Sequence, residues 1–418
     1  MSPIIKLIDD LMNKRHDDIE DWLHACRIQK SPFFYSSVDL RHSGLKLAPV
    51  DTNLFPAGFN NLSHAARNRA IRFMKERFAE MEQKPERVLI VPENHTRNLA
   101  YLENLATLAE LLEQSGVEVK IGNSAITEPL QLASMSGKTV IELPLLKENN
   151  KLKTSDGYNP DLIILNNDCT AGVPEVLENI IQPIEPDYKM GWYMRRKSEH
   201  FRAYEEIAHD FARDFAFDPW LISAVFNRCG IVNFRDTKGI ERVAQGVEHV
   251  LQNVREKYKE HGIEEKPYVF IKADSGTYGM GIMTVESSEE LMELNKKTRN
   301  KMNIIKEGTQ NTEVIIQEGI PTIDIVENSP AEAMIYLIDG VPVGGAYRIN
   351  SERDALSNLN ASGMRFVGMC DEGECGEHAK EKVKIPNCNF SVFGLVATLA
   401  TLAAGNEVYD SLNIGFSI

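Results

Sequence analysis

Hydrophobic and polar positions along the chain fall into two textures. Between residues 87 and 122, "RVLIVPENHTRNLAYLENLATLAELLEQSGVEVKIG" passes from a short apolar strand through a polar loop into a leucine-periodic helix and then a second strand. Asn98 is placed to cap that helix, Leu105, Leu108 and Leu112 share one of its faces, and Gly116 is placed to end it. This is a βαβ unit. The apolar runs "TVIELPLL" (139–146) and "DLIILNND" (161–168) extend its sheet, which places the loops "PENHTRN" and "NNDCTAG" at strand carboxyl ends, where they line a crevice. Upstream, "SHAARNRAIRFMKERFAEMEQ" reads as an amphipathic helix and "VDTNLFPAGFNNL" as an irregular surface segment. Two more helices follow, with stripes at Phe201, Tyr204, Ala208 and Phe211 and at Ile240, Val243, Val247, Val250 and Val254, both facing a core.

From 268 onward short strands dominate: "YVFIKA", "GIMTV", "EVIIQEG" and "EAMIYLIDGVPVGGAYRI", with a helix at "SEELMELNKKTRNKM". Asp339-Gly340 between two apolar strands signals a hairpin, so this half is antiparallel with helices beside it. The fold class is therefore α/β, with α+β character in the carboxyl-terminal half. The change of texture predicts an amino-terminal βαβ substrate domain over 1–190 and a second domain over 191–418.

Composition narrows the class of function. With 418 residues, 43% hydrophobic and 26% charged, the chain can bury a large core and has a globular balance. A net charge of −15 without a long basic run argues against a nucleic-acid partner. The start, "MSPIIKLIDDLMNKRHDD", lacks the apolar stretch of a signal peptide, and "FSVFGLVATLATLAAG" (390–405) is too short and interrupted for a membrane span, so a cytoplasmic protein with a buried carboxyl-terminal helix is expected. Six cysteines without a C-x-x-C pair fit reduced thiols, and the spacing of Cys370, Cys375, His378 and Cys388 matches no common zinc pattern.

Candidate chemistry centres on "FIKADSGTYGMGI" (270–282). "SGKT" at 136–139 lacks the first glycine of a phosphate-binding P-loop, since Leu132 stands there. The 270–282 glycines lead into a strand, not a helix, which excludes a dinucleotide fingerprint and leaves a β-loop-β lid. Such a lid, over Ser275, Gly276, Thr277, Gly279 and Gly281, can fold backbone N–H groups around a triphosphate while Lys272 at the strand end supplies positive charge. A plain hairpin is the competing reading. Some 45 residues on, "VIIQEGIPTID" ends a strand in Gln317 and Glu318, suited to an adenine edge and a ribose, and Glu332, Arg348 and "SNLNASG" follow.

This order of parts resembles the ATP-grasp superfamily, in which a lysine precedes a glycine lid and the nucleotide lies between two α+β lobes. "FIKADSGTYGMGIMTV", "MGWYMRRKSEHF", "NNDCTAGVPE" and "YRINSERDALSNLNASGMRF" together look like the glutamate–cysteine ligase family of proteobacterial type, over nearly the whole chain. The resemblance implies an ATP-grasp-like domain over 191–418. It also implies that ATP phosphorylates the glutamate γ-carboxylate and the cysteine amine attacks the acyl phosphate, giving γ-glutamylcysteine for glutathione. Both steps build negative charge, so cations and Mg2+ are expected. In this scheme Lys272 holds the α and β phosphates, Ser275 to Gly281 close over the γ-phosphate, and Arg348 stabilises the transferring group. Asn358 and Asn360 meet phosphate or metal or form a simple turn, Arg195 and Arg196 clamp a substrate carboxylate or face solvent, and Glu332 and Asn360 are the candidate Mg2+ ligands. The late E-x-N magnesium motif of many such enzymes has no clean match in "AGNEVYDSLNIGFSI". Another carboxylate–amine pair, or an ATP sensor without turnover, stays open. So does whether copies associate as a homo-oligomer.

Overall fold

The structure is a computed structural model that describes residues 1–29, 32–234, 236–275, 282–292, 305–306, 309–310, 313–369 and 389–414. Gly276, Thr277, Gly279 and Gly281, most of the helix expected after residue 288, and Cys370, Cys375, His378 and Cys388 lie outside the described residues.

The βαβ unit forms as its periodicity predicts. Strand Arg87–Pro92 leads to helix Leu99–Gln114 and strand Glu118–Asn123, paired in parallel. The Asn98 side chain accepts from Tyr101 N at 3.2 Å, and Gly116 leaves the helix at φ +100°. Thr139–Glu148 and Leu162–Asn166 extend the parallel sheet on opposite sides, in the order 139–148, 118–123, 87–92, 162–166. The strand order thus reverses between Arg87–Pro92 and Leu162–Asn166, and the crevice of an open α/β sheet lies outside the strand ends at such a point. A pocket lined by Asn94, His95, Thr96, Arg97 and Asn98 opens there, in the loop expected to border it. "SGKT" is a turn between antiparallel strands Leu130–Ala133 and Thr139–Glu148, with no helix behind it to receive a phosphate.

Two antiparallel sheets build the rest. One orders Phe226–Ile231, Glu313–Glu318, Val269–Ala273 and Met283–Val285, backed by helix Thr237–Glu260, whose valine stripe is buried. The other orders Arg365–Gly368, Val341–Ile349, Ser329–Ile338, Tyr35–His42 and Leu47–Asn53. Its central hairpin turns through Asp339 and Gly340, both at positive φ (+50° and +69°), the geometry a two-residue turn needs to match strand twist. Gly344 lets helix His64–Glu80 approach, because a Cβ there would lie 2.4 Å from that of Ala66.

Strand Tyr35–His42 pairs with Ser329–Ile338 on one side and with Leu47–Asn53 on the other, so this sheet draws strands from both sides of residue 190. "VDTNLFPAGFNNL" is not a surface loop. It ends strand Leu47–Asn53 and continues as a buried turn, with Leu54, Phe55, Phe59 and Leu62 in the core. Irregular backbone survives burial there because Asn104 Oδ1 accepts from Gly58 N and Phe59 N at 2.8 and 3.1 Å. The apolar helix Phe390–Ile414 has the length and composition of a membrane span over 390–407, yet 83% of that stretch is buried, packed against helix Lys197–Asp214 and the sheet of the central hairpin. It is the expected core helix.

Candidate active site

Lys272 projects from the end of strand Val269–Ala273. Its Nζ donates to Gln317 Oε1 at 2.6 Å and to Val50 O at 3.3 Å. The two side chains meet because Lys272 registers opposite Ile315, two residues from Gln317 on the same face. Burial, and after it the nearby Lys197 charge, pushes the Lys272 ammonium down to about 8 against the pull of Asp51 and Glu332. The lysine is charged at neutral pH and under-compensated. Among the described residues, the Nε2 of Gln317 and the Nε of Arg348 are buried with no hydrogen-bond partner. Orphaned buried donors call for an acceptor.

A second lysine, which the sequence reading passed over, stands beside the first. Lys197 opens helix Lys197–Asp214, its Nζ 2.5 Å from Asp51 Oδ1 and 4.4 Å from the Trp192 ring centre. Burial alone would raise the Asp51 carboxyl, but Lys197, then Lys272 and Arg195, hold it at about 2. The Asp51 side chain is 39% exposed against 9% for Lys197, so the lysines meet solvent beside this carboxylate.

The arginines chosen from sequence are committed elsewhere. Arg195 is buried and bidentate to Glu407 (2.8 and 3.0 Å), and its remaining fork donates to Thr52 O at 2.6 Å. Glu407 also bonds His200 Nδ1 at 2.6 Å, so this cluster ties the carboxyl-terminal helix to helix Lys197–Asp214. Arg196 pairs with Glu313 and donates to the carbonyls of Met194 and Arg195. Neither guanidinium stands free to clamp a substrate carboxylate.

Glu332 and Arg348 face each other across the hairpin. The Glu332 carboxylate accepts from Arg348 on one oxygen and from Arg41 Nε at 2.6 Å on the other, while Arg348 also reaches Asp39 at 2.7 Å. Burial would raise Glu332, but Arg41 and Arg348 hold it below its usual range. Burial lifts Asp39 to about 6, with Glu332 and Asp51 adding to it against Arg348. Arg41 also donates to Ala355 O and Ser357 O (3.2 and 2.7 Å), fixing the root of "SNLNASG".

Of the residues named for Mg2+, Glu332 does not fit it. Both Glu332 oxygens are taken by guanidiniums, and Asn358 Oδ1 accepts from Asn360 N at 3.0 Å in a local turn, the simpler of the two readings of that stretch. Among the described residues, the acidic and histidine side chains close enough to share a cation are Asp218, Glu260 and His261, which do not include Glu332. Lys257 already donates to that Asp and Glu. Glu318 is buried, and its Oε2 accepts both from Lys46 Nζ at 2.6 Å and from Val225 N at 2.9 Å, which ties it into the fold and not to a ribose at the surface. Lys46 sits 3.8 Å over the Trp220 ring, an anchor for the end of the Gln317 strand that no local pattern announces.

An amino-terminal parallel α/β sheet is joined here to antiparallel sheets in a mixed α/β architecture, with a strand-end lysine beside buried donors that have no partner. The chain belongs to the GshA family, described as glutamate-cysteine ligase, whose sequence pattern matches residues 9–408. A crystal structure of a protein from Methylobacillus flagellatus KT, provisionally named gamma-glutamylcysteine synthetase, is 37% identical, covers 98% of this chain and 97% of its own, and superposes with a TM-score of 0.88. D-alanyl-alanine synthetase A from Vibrio cholerae is far more distant, at 10% identity, coverage of 69% and 76%, and a TM-score of 0.32. No curated protein matches the sequence.

Proposed function

We propose that this chain joins the γ-carboxylate of L-glutamate to the amine of L-cysteine, using ATP as its magnesium complex and passing through an acyl phosphate. The observation that carries the reading is strand-end Lys272, bonded to Gln317 and close enough to Lys197 to feel its charge, with the Nε2 of Gln317 and the Nε of Arg348 left as buried donors without a partner. Family membership names the reaction class.

A glutamate carboxylate oxygen attacks the γ-phosphorus, and the bond to the ADP oxygen breaks. Cysteine nitrogen then attacks the acyl carbon, phosphate leaves with the bonding pair, and the amine gives up a proton. Negative charge shifts between phosphoryl oxygens throughout, so fixed cations and donors lower the barrier without rearranging. Lys272 and Lys197 hold phosphate oxygens, Gln317 Nε2 donates to the nucleotide, and Arg348, held in place by Asp39 and Glu332, turns its free Nε–H toward the transferring group. No described residue is assigned to magnesium, and no step is routed through it.

The test is ADP release from MgATP by the purified chain with glutamate and cysteine, singly and together. Release that needs both and yields γ-glutamylcysteine is the expected result; ATP binding without turnover on this pair would overturn the reading.

A pH dependence follows from the depressed lysine. Free Lys272 loses its proton near pH 8, whereas phosphate contact favours the charged form, so the KM for ATP is expected to rise as pH climbs through about 8. Stability moves the other way. Between about pH 8 and the unfolded lysine value near 10.5 the unfolded chain binds more protons, so the Lys272 contribution favours folding increasingly as pH rises. A KM for ATP flat from pH 7 to 9.5 would remove Lys272 from the phosphates.

A further inference from the structure

Helix Lys197–Asp214 starts without a cap from its own N-cap residue, since Arg196 occupies that position and contributes no side-chain hydrogen bond there. The cap comes from Asp274, two residues beyond Lys272. Its Oδ1 accepts from Ser198 N and its Oδ2 from Ser198 Oγ, both at 2.7 Å, and its carbonyl accepts from Lys197 N, also at 2.7 Å. Asp274 N donates in turn to Glu313 O at 3.0 Å, which keeps this segment fastened to the neighbouring strand.

Asp274 is fully buried, and the Arg228 guanidinium approaches only to 3.7 Å. A buried carboxylate without a close cation is costly unless its hydrogen bonds are complete. Capping alone does not require that, because a serine or aspartate at position 196 would serve. What Asp274 adds is a join between two elements. Three short bonds lock the end of the Lys272 strand to the first turn of the helix that carries Lys197. The Lys197–Asp51 ion pair cannot set that geometry, since it holds only the tip of a flexible side chain against a part-exposed carboxylate.

We propose that Asp274 is a positioning residue that fixes the separation of the Lys272 and Lys197 ammonium groups, and hence the fit of the nucleotide phosphates between them. The proposal rests on the ligase reading above. It is tested by steady-state kinetics of the full chain and of Asp274→Ala, Asp274→Asn and Ser198→Ala, varying ATP, glutamate and cysteine separately, with thermal melting alongside.

Asp274→Ala is expected to raise the KM for ATP about tenfold or more while the KM for glutamate stays within about twofold, because misplaced phosphate contacts penalise the nucleotide alone. Asp274→Asn should recover most of the loss, since its Oδ1 accepts from Ser198 N and its Nδ2 donates to Ser198 Oγ. Ser198→Ala, which removes one bond, should raise the KM for ATP by a smaller factor, and it decides the matter if Asp274→Ala fails to fold. An unchanged KM for ATP, or equal rises for all three substrates beside a lowered melting temperature, would show a purely structural cap and overturn the proposal. A wild-type chain that releases no ADP with both amino acids brings down the ligase reading and this proposal together; a working wild type with unaffected variants brings down the proposal alone.

Discussion

Replacing Lys272 with alanine is expected to lower glutamate- and cysteine-dependent ADP release by roughly 100- to 1,000-fold, the size of effect seen when one preorganised charge-stabilising donor is removed. Fold stability should hold. Among the described residues no carboxylate lies within ion-pair distance of the Lys272 Nζ, and its bonds go to an amide oxygen and a backbone carbonyl. Its depressed proton affinity shows that the folded protein carries this charge at a cost, so deleting it removes a destabilising term along with two hydrogen bonds. Unlike Lys46, which is depressed as far but paired with Glu318, Lys272 has no ion-pair partner among the described residues, which makes it a candidate to meet a ligand anion. The measurement is ADP release beside thermal melting: unchanged turnover, or a variant lost to unfolding, would contradict the assignment.

The second large effect is expected at Glu332, and it separates two roles for one carboxylate. Glu332→Ala leaves the Arg41 and Arg348 guanidiniums buried without their shared partner, and breaking a buried pair from one side costs about 3 to 5 kcal/mol. Asp39 remains for Arg348, whereas Arg41 retains only backbone carbonyls. The loss should appear as a lower urea midpoint at unchanged slope, with Glu332→Gln intermediate because it keeps one acceptor. If Glu332 bound magnesium, the variants would instead shift the Mg2+ dependence of turnover and leave the urea midpoint in place.

Much of the scaffold was legible residue by residue. Asn98 and Gly116 bound their helix, the stripe from Ile240 to Val254 is buried, and Asp339-Gly340 turns the hairpin. The segment 50–62 was misjudged because its order depends on Asn104, some forty-five residues away, which pairs backbone groups that an isolated loop would give to water. In the candidate site, Lys272 and Gln317 were visible because a lysine and a polar pair end otherwise apolar strands. Their contact is a cross-strand diagonal.

Sequence by itself determined what near neighbours determine: helix and strand periodicity, caps, the hairpin turn, and the family signature that names the chemistry. Only the tertiary structure decided which charges are available to a substrate. Arg195 with Glu407, Arg41 with Glu332, Lys46 with Glu318 and Lys197 with Asp51 are joined across 146 residues or more of chain. Arg195 and Glu318 looked free for ligands and are spent on burial, whereas Lys197 looked ordinary and stands beside Lys272. A charge buried far from water needs a partner, and the fold supplies it from wherever the chain happens to pass.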